Sequence, residues 1–190
     1  MRVCHNCRLG DARTRAVPGE GDPNADVLLV GEAPGFHEDQ QGRPFVGAAG
    51  QLLNELVDGI GLRREQVFIA NVLKCRPPGN RDPLPDEIEA CSSYLDRQIE
   101  LIRPKVIVTL GRYSMAKFFP AARSMRDMHG RTAVYRGSTV LAAYHPAAVF
   151  RQPNLKAVLE EDFRKIPELV RSNQRDQSEP EPQAEQLSLF

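Results

Sequence analysis

The sequence predicts an α/β domain built on a mainly parallel, four-stranded sheet. Two observations carry this. Short apolar runs rich in β-branched residues alternate with segments of helical spacing, and each run stops abruptly at a glycine or a polar loop. Strands that alternate with helices imply parallel pairing, with the sheet covered on both faces. A chain of 190 residues is long enough to bury one substantial core.

The first strand is expected at about 26–31, where Val27-Leu28-Leu29-Val30 runs into Gly31. The loop that follows, GEAPGFHEDQQGRPFVGAAG, lies at the strand's carboxyl end, where open α/β sheets bind ligands. Leu52, Leu53, Leu56 and Ile60 give the next segment helical spacing, with a stop at Gly59 or Gly61. Residues 66–73, QVFIANVL, read as a second buried strand, and the prolines at 77, 78 and 83 forbid both helix and ladder beyond it. A helix is expected from Asp86 to Ile102, its acidic first turn suited to the helix dipole. A third strand spans Lys105–Leu110, a short helix Tyr113–Phe119, a fourth strand Thr139–Tyr144 and a last helix Asn154–Val170.

No stretch has the roughly eighteen consecutive apolar residues of a membrane span, and the first residues lack the apolar region of a secretory signal, so a cytoplasmic protein is expected. Formal net charge is zero, which by itself does not favour a nucleic-acid partner, but the charge is uneven. Residues 172–190 carry a net −3, leaving +3 on the rest. Between Arg103 and Arg136 eight basic residues are opposed only by Asp127, an excess able to contact phosphates or simply to form a solvated face.

In a reducing compartment the four cysteines suggest metal chemistry rather than disulfides. Cys4 and Cys7 form a C-x2-C pair, while Cys75 and Cys91 stand apart. Four thiolates suit tetrahedral zinc or a [4Fe–4S] cluster. Structural zinc usually takes two close pairs, so the spacing leans towards iron–sulfur without deciding it.

Three residues at strand ends suggest a site. Phe45, on a glycine-flanked loop, can offer a flat face to something planar. Asn71 places an amide in an otherwise apolar strand, where it needs a partner or a ligand, and an amide has the donor and acceptor that read a nucleobase edge. His145, held by Pro146, can direct a fixed N–H at an oxygen that gains charge.

Together Gly31-Glu32-Ala33-Pro34-Gly35, Pro44-Phe45-Val46-Gly47-Ala48-Ala49-Gly50, Asn71 with Lys74-Cys75-Arg76-Pro77-Pro78, Asn80-Arg81 and His145-Pro146-Ala147-Ala148 resemble the motifs of family 4 uracil-DNA glycosylases. The resemblance runs from Cys4 to about Val170. It implies a three-layer α/β/α fold, excision of uracil from DNA, and a [4Fe–4S] cluster on Cys4, Cys7, Cys75 and Cys91. It further implies that Phe45 stacks on uracil, Asn71 reads its edge and His145 meets O2, with Glu32 and Ala33 in the pocket. Glu32 and His145 are the expected catalytic residues; Glu38 and Asn80 carry over as substrate-binding positions without firm roles. Relatives that trap uracil-DNA covalently carry a histidine-containing insertion after the second strand, which the short Pro-Pro-Gly-Asn-Arg-Asp-Pro loop lacks. Family 5 enzymes usually lack the acidic residue present here as Glu32.

Residues 1–171 are thus expected to form the glycosylase domain and 172–185 a polar, disordered linker. The final Gln186-Leu187-Ser188-Leu189-Phe190 resembles the pentapeptide that docks on the bacterial DNA sliding clamp, with Gln186, Leu187, Leu189 and Phe190 as its contacts. A monomer acting on uracil-containing DNA near the nucleoid is the resulting expectation. Two alternatives stand beside it: a clamp-tethered protein that binds uracil or single strands without turnover, and a zinc-stabilised interaction protein.

Overall fold

The computed structural model describes residues 1–122 and 124–173; the linker from Gln174 and the clamp-docking peptide lie outside the described residues. Four parallel strands form the heart of the sheet, as the sequence predicts: β2 (Val27–Gly31), β3 (Phe68–Asn71), β4 (Val106–Leu110) and β6 (Ser138–Ala143). The sheet is nonetheless six-stranded. An antiparallel edge strand is added on each side, β1 (Glu20–Gly21) on β3 and β5 (Thr132–Tyr135) on β6, giving the order β1-β3-β2-β4-β6-β5.

Alternate strand residues face opposite layers, because side chains alternate along a strand. Val27, Leu29, Val106 and Val108 pack with Leu53 and Leu56 of α3 (Ala48–Asp58) and with Leu159 and Phe163 of α7 (Leu155–Arg164). Leu28, Val30, Ile107 and Val140 pack on the other side with Leu95 and Ile99 of α4 (Pro85–Ile102) and Phe118 of α5 (Arg112–Phe118). The result is a three-layer α/β/α domain.

Four differences from the sequence reading have local causes. The second ladder stops at Asn71, and Arg64–Gln66 ahead of it forms a 3-10 turn. The Gly/Pro-rich loop after β2 contains a short helix, α2 (Phe36–Gln41), entered through Gly35. A second short helix, α6 (Met125–Met128), is started by the Ser124 side chain accepting from the Asp127 amide. The last helix is broken at Lys165, because Pro167 cannot donate to the helix ladder; α8 (Ile166–Ser172) continues separately and ends one residue past the expected domain boundary. Asn173 then donates from Nδ2 to Lys105 O at 2.5 Å, tying that end to the start of β4.

The basic run from Arg103 to Arg136 is not a continuous phosphate-binding face. Lys105 pairs with Asp26, Lys117 with Asp96, Arg136 with Glu100 and Arg112 with Asp82. Among the described residues no helix is long and apolar enough to cross a membrane.

Candidate active site

The carboxyl ends of β2, β3, β4 and β6 open into one cleft of about 680 Å³. Every expected pocket residue lines it: Glu32 and Ala33 after β2, Glu38 and Phe45 further along that loop, Asn71 and Asn80 from β3 and its loop, and His145 after β6. The parallel strand order brings these loops to one edge from sequence positions up to 113 apart.

Asn71 is the last residue of β3 and is buried, yet among the described residues its Oδ1 has no hydrogen-bond partner. A buried acceptor without a donor is costly, and such an atom in a binding cleft is satisfied by a ligand. The free group is an acceptor, so the ligand must bring a donor. Beside it lies Phe45, held at φ +50, a left-handed conformation that is strained for a bulky residue.

Three neighbours impose that conformation. Gly50 packs its Cα against the Phe45 carbonyl so closely that a Cβ would collide with it. Arg64 donates to Pro44 O at 2.6 Å, to Phe45 O at 3.3 Å and to Asn54 Oδ1 at 3.0 Å, while its Nε pairs with Glu20 at 3.2 Å. Glu38 accepts from the amides of Gly35, Val46 and Gly47 at 3.1, 2.9 and 3.0 Å. The Glu38 carboxylate is therefore committed to backbone: it lines the cleft, but as a staple between α2 and the Phe45 loop rather than a free ligand group.

His145 begins a 3-10 turn over Pro146–Phe150, and its Nδ1 accepts from the Ala147 amide at 3.1 Å. With Nδ1 used as acceptor, the ring proton of the neutral form is on Nε2. Burial pushes this histidine down to about 4, so it is neutral at physiological pH and acts as a donor without charge. Its ring stands 5.5 Å from that of Phe45 and 25° from parallel. A flat base stacked between two rings would need roughly 7 Å, so a base on Phe45 meets His145 at its edge.

Glu32 is half-buried. Burial, with Asp82 nearby, raises its pKa, and Arg112 opposes the rise. Asp82 and Arg112 form an ion pair that joins the loops after β3 and β4 at the mouth of the cleft. Arg112 and Arg151 add positive charge to its rim, and Asn80 is held by Arg76 Nε at 2.6 Å. Of these residues Arg64, Asp82 and Arg151 were not legible in the sequence. Arg64 carries no local signal, since its partners Glu20, Pro44, Phe45 and Asn54 lie in three other segments.

The four cysteines are free thiols that line one recess with Arg13, Lys74 and Tyr94. Among the described residues no three His, Cys, Asp or Glu side chains are grouped as a single metal ion would require. N–H donors face two of the sulfurs: Asn6 N to Cys4 Sγ at 3.5 Å and Arg13 Nη1 to Cys75 Sγ at 3.1 Å. Among the described residues no carboxylate lines the recess. Four thiols with N–H donors beside them are a donor set whose chemistry suits a thiolate-ligated metal group. The recess adjoins the cleft through the Leu73 amide, which donates to Glu32 O at 2.9 Å.

Residues 18–166 match the family model described as Uracil DNA glycosylase superfamily. The chain is 54% identical over 176 residues to a type-4 uracil-DNA glycosylase of Sulfurisphaera tokodaii, covering 88% of this chain and 80% of that one. It is 48% identical to the type-4 enzyme of Archaeoglobus fulgidus, covering 90% of each. Similarity to a type-5 uracil-DNA glycosylase of Pyrobaculum aerophilum is lower, 34% over 70% of this chain and 66% of that one.

Proposed function

The chain belongs to the type-4 uracil-DNA glycosylases, and from that membership we propose how its own residues excise uracil. The protein is a DNA-repair glycosylase that removes uracil and leaves an abasic site. A base within duplex cannot be reached, so it is extruded into the cleft, stacked on Phe45 and read on its Watson–Crick edge. The observation that carries this reading is the orphaned Oδ1 of Asn71. Uracil N3–H is the donor it lacks, and cytosine, with a lone pair at N3, is not.

When the C1′–N1 bond breaks, its electron pair stays with uracil and spreads to O2, and positive charge builds on the sugar. The neutral His145 donates from Nε2 to O2, stabilising the anion without a prior proton transfer. The Glu32 carboxylate faces the developing oxocarbenium ion and takes a proton from the water that adds to C1′. Its raised pKa makes it a better base than an exposed carboxylate. Arg151 holds a flanking phosphate, while Arg112 stays paired with Asp82 and Asn80 lies at the rim of the pocket.

Cys4, Cys7, Cys75 and Cys91 hold a [4Fe–4S] cluster, supported by the thiol recess and its N–H donors. The cluster supplies a covalent clasp between the first residues and the loop after β3, and no step of excision runs through it. The peptide at Gln186, Leu187, Leu189 and Phe190 docks on a sliding clamp and brings the enzyme to newly made DNA, a reading supported by its sequence alone. Full-length protein and its Phe190→Ala variant, compared for capture by immobilised bacterial clamp, test that part; equal capture removes it.

The main test is excision from a single-uracil oligonucleotide by wild type, Asn71→Ala and His145→Ala. Alkali-labile cleavage in wild type and its loss in both variants, with iron content retained, supports the assigned roles. A wild type that binds the strand but releases no base would instead favour the non-catalytic binder.

A further inference from the structure

Lys74 is buried, 1% exposed, among the largest fully buried side chains of the domain. Its Nζ donates to Gln98 Oε1 at 2.6 Å, and Gln98 passes the contact on to Pro18 O at 2.8 Å through its Nε2. That partner is neutral. A single neutral amide does not balance a buried positive charge, so the group that would balance Lys74 has to come from the recess it lines.

The lysine does not line the uracil cleft, so it is no nucleophile for the sugar. It lines the recess of the four cysteines, and so does Arg13, whose Nη1 reaches Cys75 Sγ at 3.1 Å and Cys4 O at 2.9 Å. Two basic side chains from separate segments thus line the recess of the four sulfurs, and among the described residues no carboxylate joins them there.

We propose that Lys74 and Arg13 are the counter-charges of the tetrathiolate iron–sulfur centre, and that Lys74 sets how firmly the cluster is retained and at what potential it accepts an electron. This rests on the cluster reading given above. Four thiolates leave such a cluster with a net negative charge, and each added electron deepens it. A fixed positive charge beside it favours both the bound and the reduced forms. Neutralisation also serves the adjoining site. Asn71 and Lys74 are three residues apart, and a naked anionic centre there would repel both DNA phosphate and the departing uracil anion.

The test uses the full chain purified with its cluster, comparing wild type with Lys74→Met, Gln98→Leu and Arg13→Gln. Iron per chain after gel filtration and the cluster's midpoint potential are measured for each. Lys74→Met is expected to lose iron and to shift the remaining cluster to a more negative potential. Arg13→Gln should shift it the same way by less, being partly exposed. Gln98→Leu removes a hydrogen bond but no charge, and should leave the potential in place.

Wild-type iron content and potential in Lys74→Met would overturn the proposal while leaving the cluster reading intact. Should that variant not fold, an unchanged potential in Arg13→Gln overturns it equally. A wild type that binds no iron would overturn the cluster reading itself, and the counter-charge role with it.

Discussion

Gly31 and Asn71 stand opposite one another at the ends of two paired parallel strands. A Cβ on Gly31 would collide with Asn71 Oδ1 and lie 2.7 Å from the Phe45 ring. The strand end is bare so that the base-reading amide and the stacking ring can close over it. Gly31→Ala should therefore lower excision by roughly 10²-fold while costing about 1–3 kcal/mol of stability, the usual range for overpacking. Single-turnover excision and thermal melts check it; near-wild-type rates would mean that the two side chains yield to the methyl at no cost to function.

Asn71→Ala separates activity from stability. The Oδ1 accepts no hydrogen bond from the described residues, so its removal forfeits none there and relieves an unsatisfied buried acceptor. A melting temperature at or above that of wild type is expected, with excision lowered about 10²-fold or more. A clear loss of stability would show that the amide is structural.

The pH profile should carry one acid limb, set by Glu32. Burial and Asp82 raise its pKa above the ordinary 4.5, so the catalytic carboxylate is lost above that value as pH falls. Glu32→Gln should be slow but flat across the same range; a persisting limb would assign it to another group.

His145 should contribute no activity limb near the ordinary 6.5, because burial holds it down to about 4. For stability the sign follows from proton binding. Between about 6.5 and about 4 the unfolded chain takes up a proton that the folded one refuses. Its contribution is complete above about 6.5 and is lost as pH falls towards about 4. Urea titrations of wild type and His145→Ala should diverge in that window.

Arg64 does not itself line the cleft, yet it holds the Pro44 and Phe45 carbonyls behind it. Arg64→Ala should cost roughly 2 kcal/mol in lost charge-assisted hydrogen bonds and raise KM about tenfold or more as the Phe45 face loosens. In a Phe45→Ala background the KM effect should vanish. Equal effects in both backgrounds would mark Arg64 as a general stability residue.

The parallel core was legible because Val27–Val30 and Val106–Val108 are apolar on both faces, as strands covered on two sides must be. The edge strands were not. Two-residue β1 has no period to read, and β5 is joined to β6 by Arg136-Gly137, both at positive φ (48 and 80), a tight hairpin turn without its usual asparagine. Asn71 stood out as an amide within an apolar run and His145 as a histidine directly after one. The committed carboxylate of Glu38 and the clamp of Arg64 did not, because their meaning lies in backbone groups that only the folded loop brings together.

The strand order also bears on how the protein is made. β4 lies between β2 and β6, and β6, whose end supplies His145, is the last parallel strand to leave the ribosome. An emerging chain can pair its first strands and shape the Phe45 and Asn71 side of the pocket while the opposite wall is still missing. A chain that has not yet added His145 therefore lacks the donor to the departing base, and a repair enzyme whose product is itself a lesion in DNA stays inactive until that residue is in place.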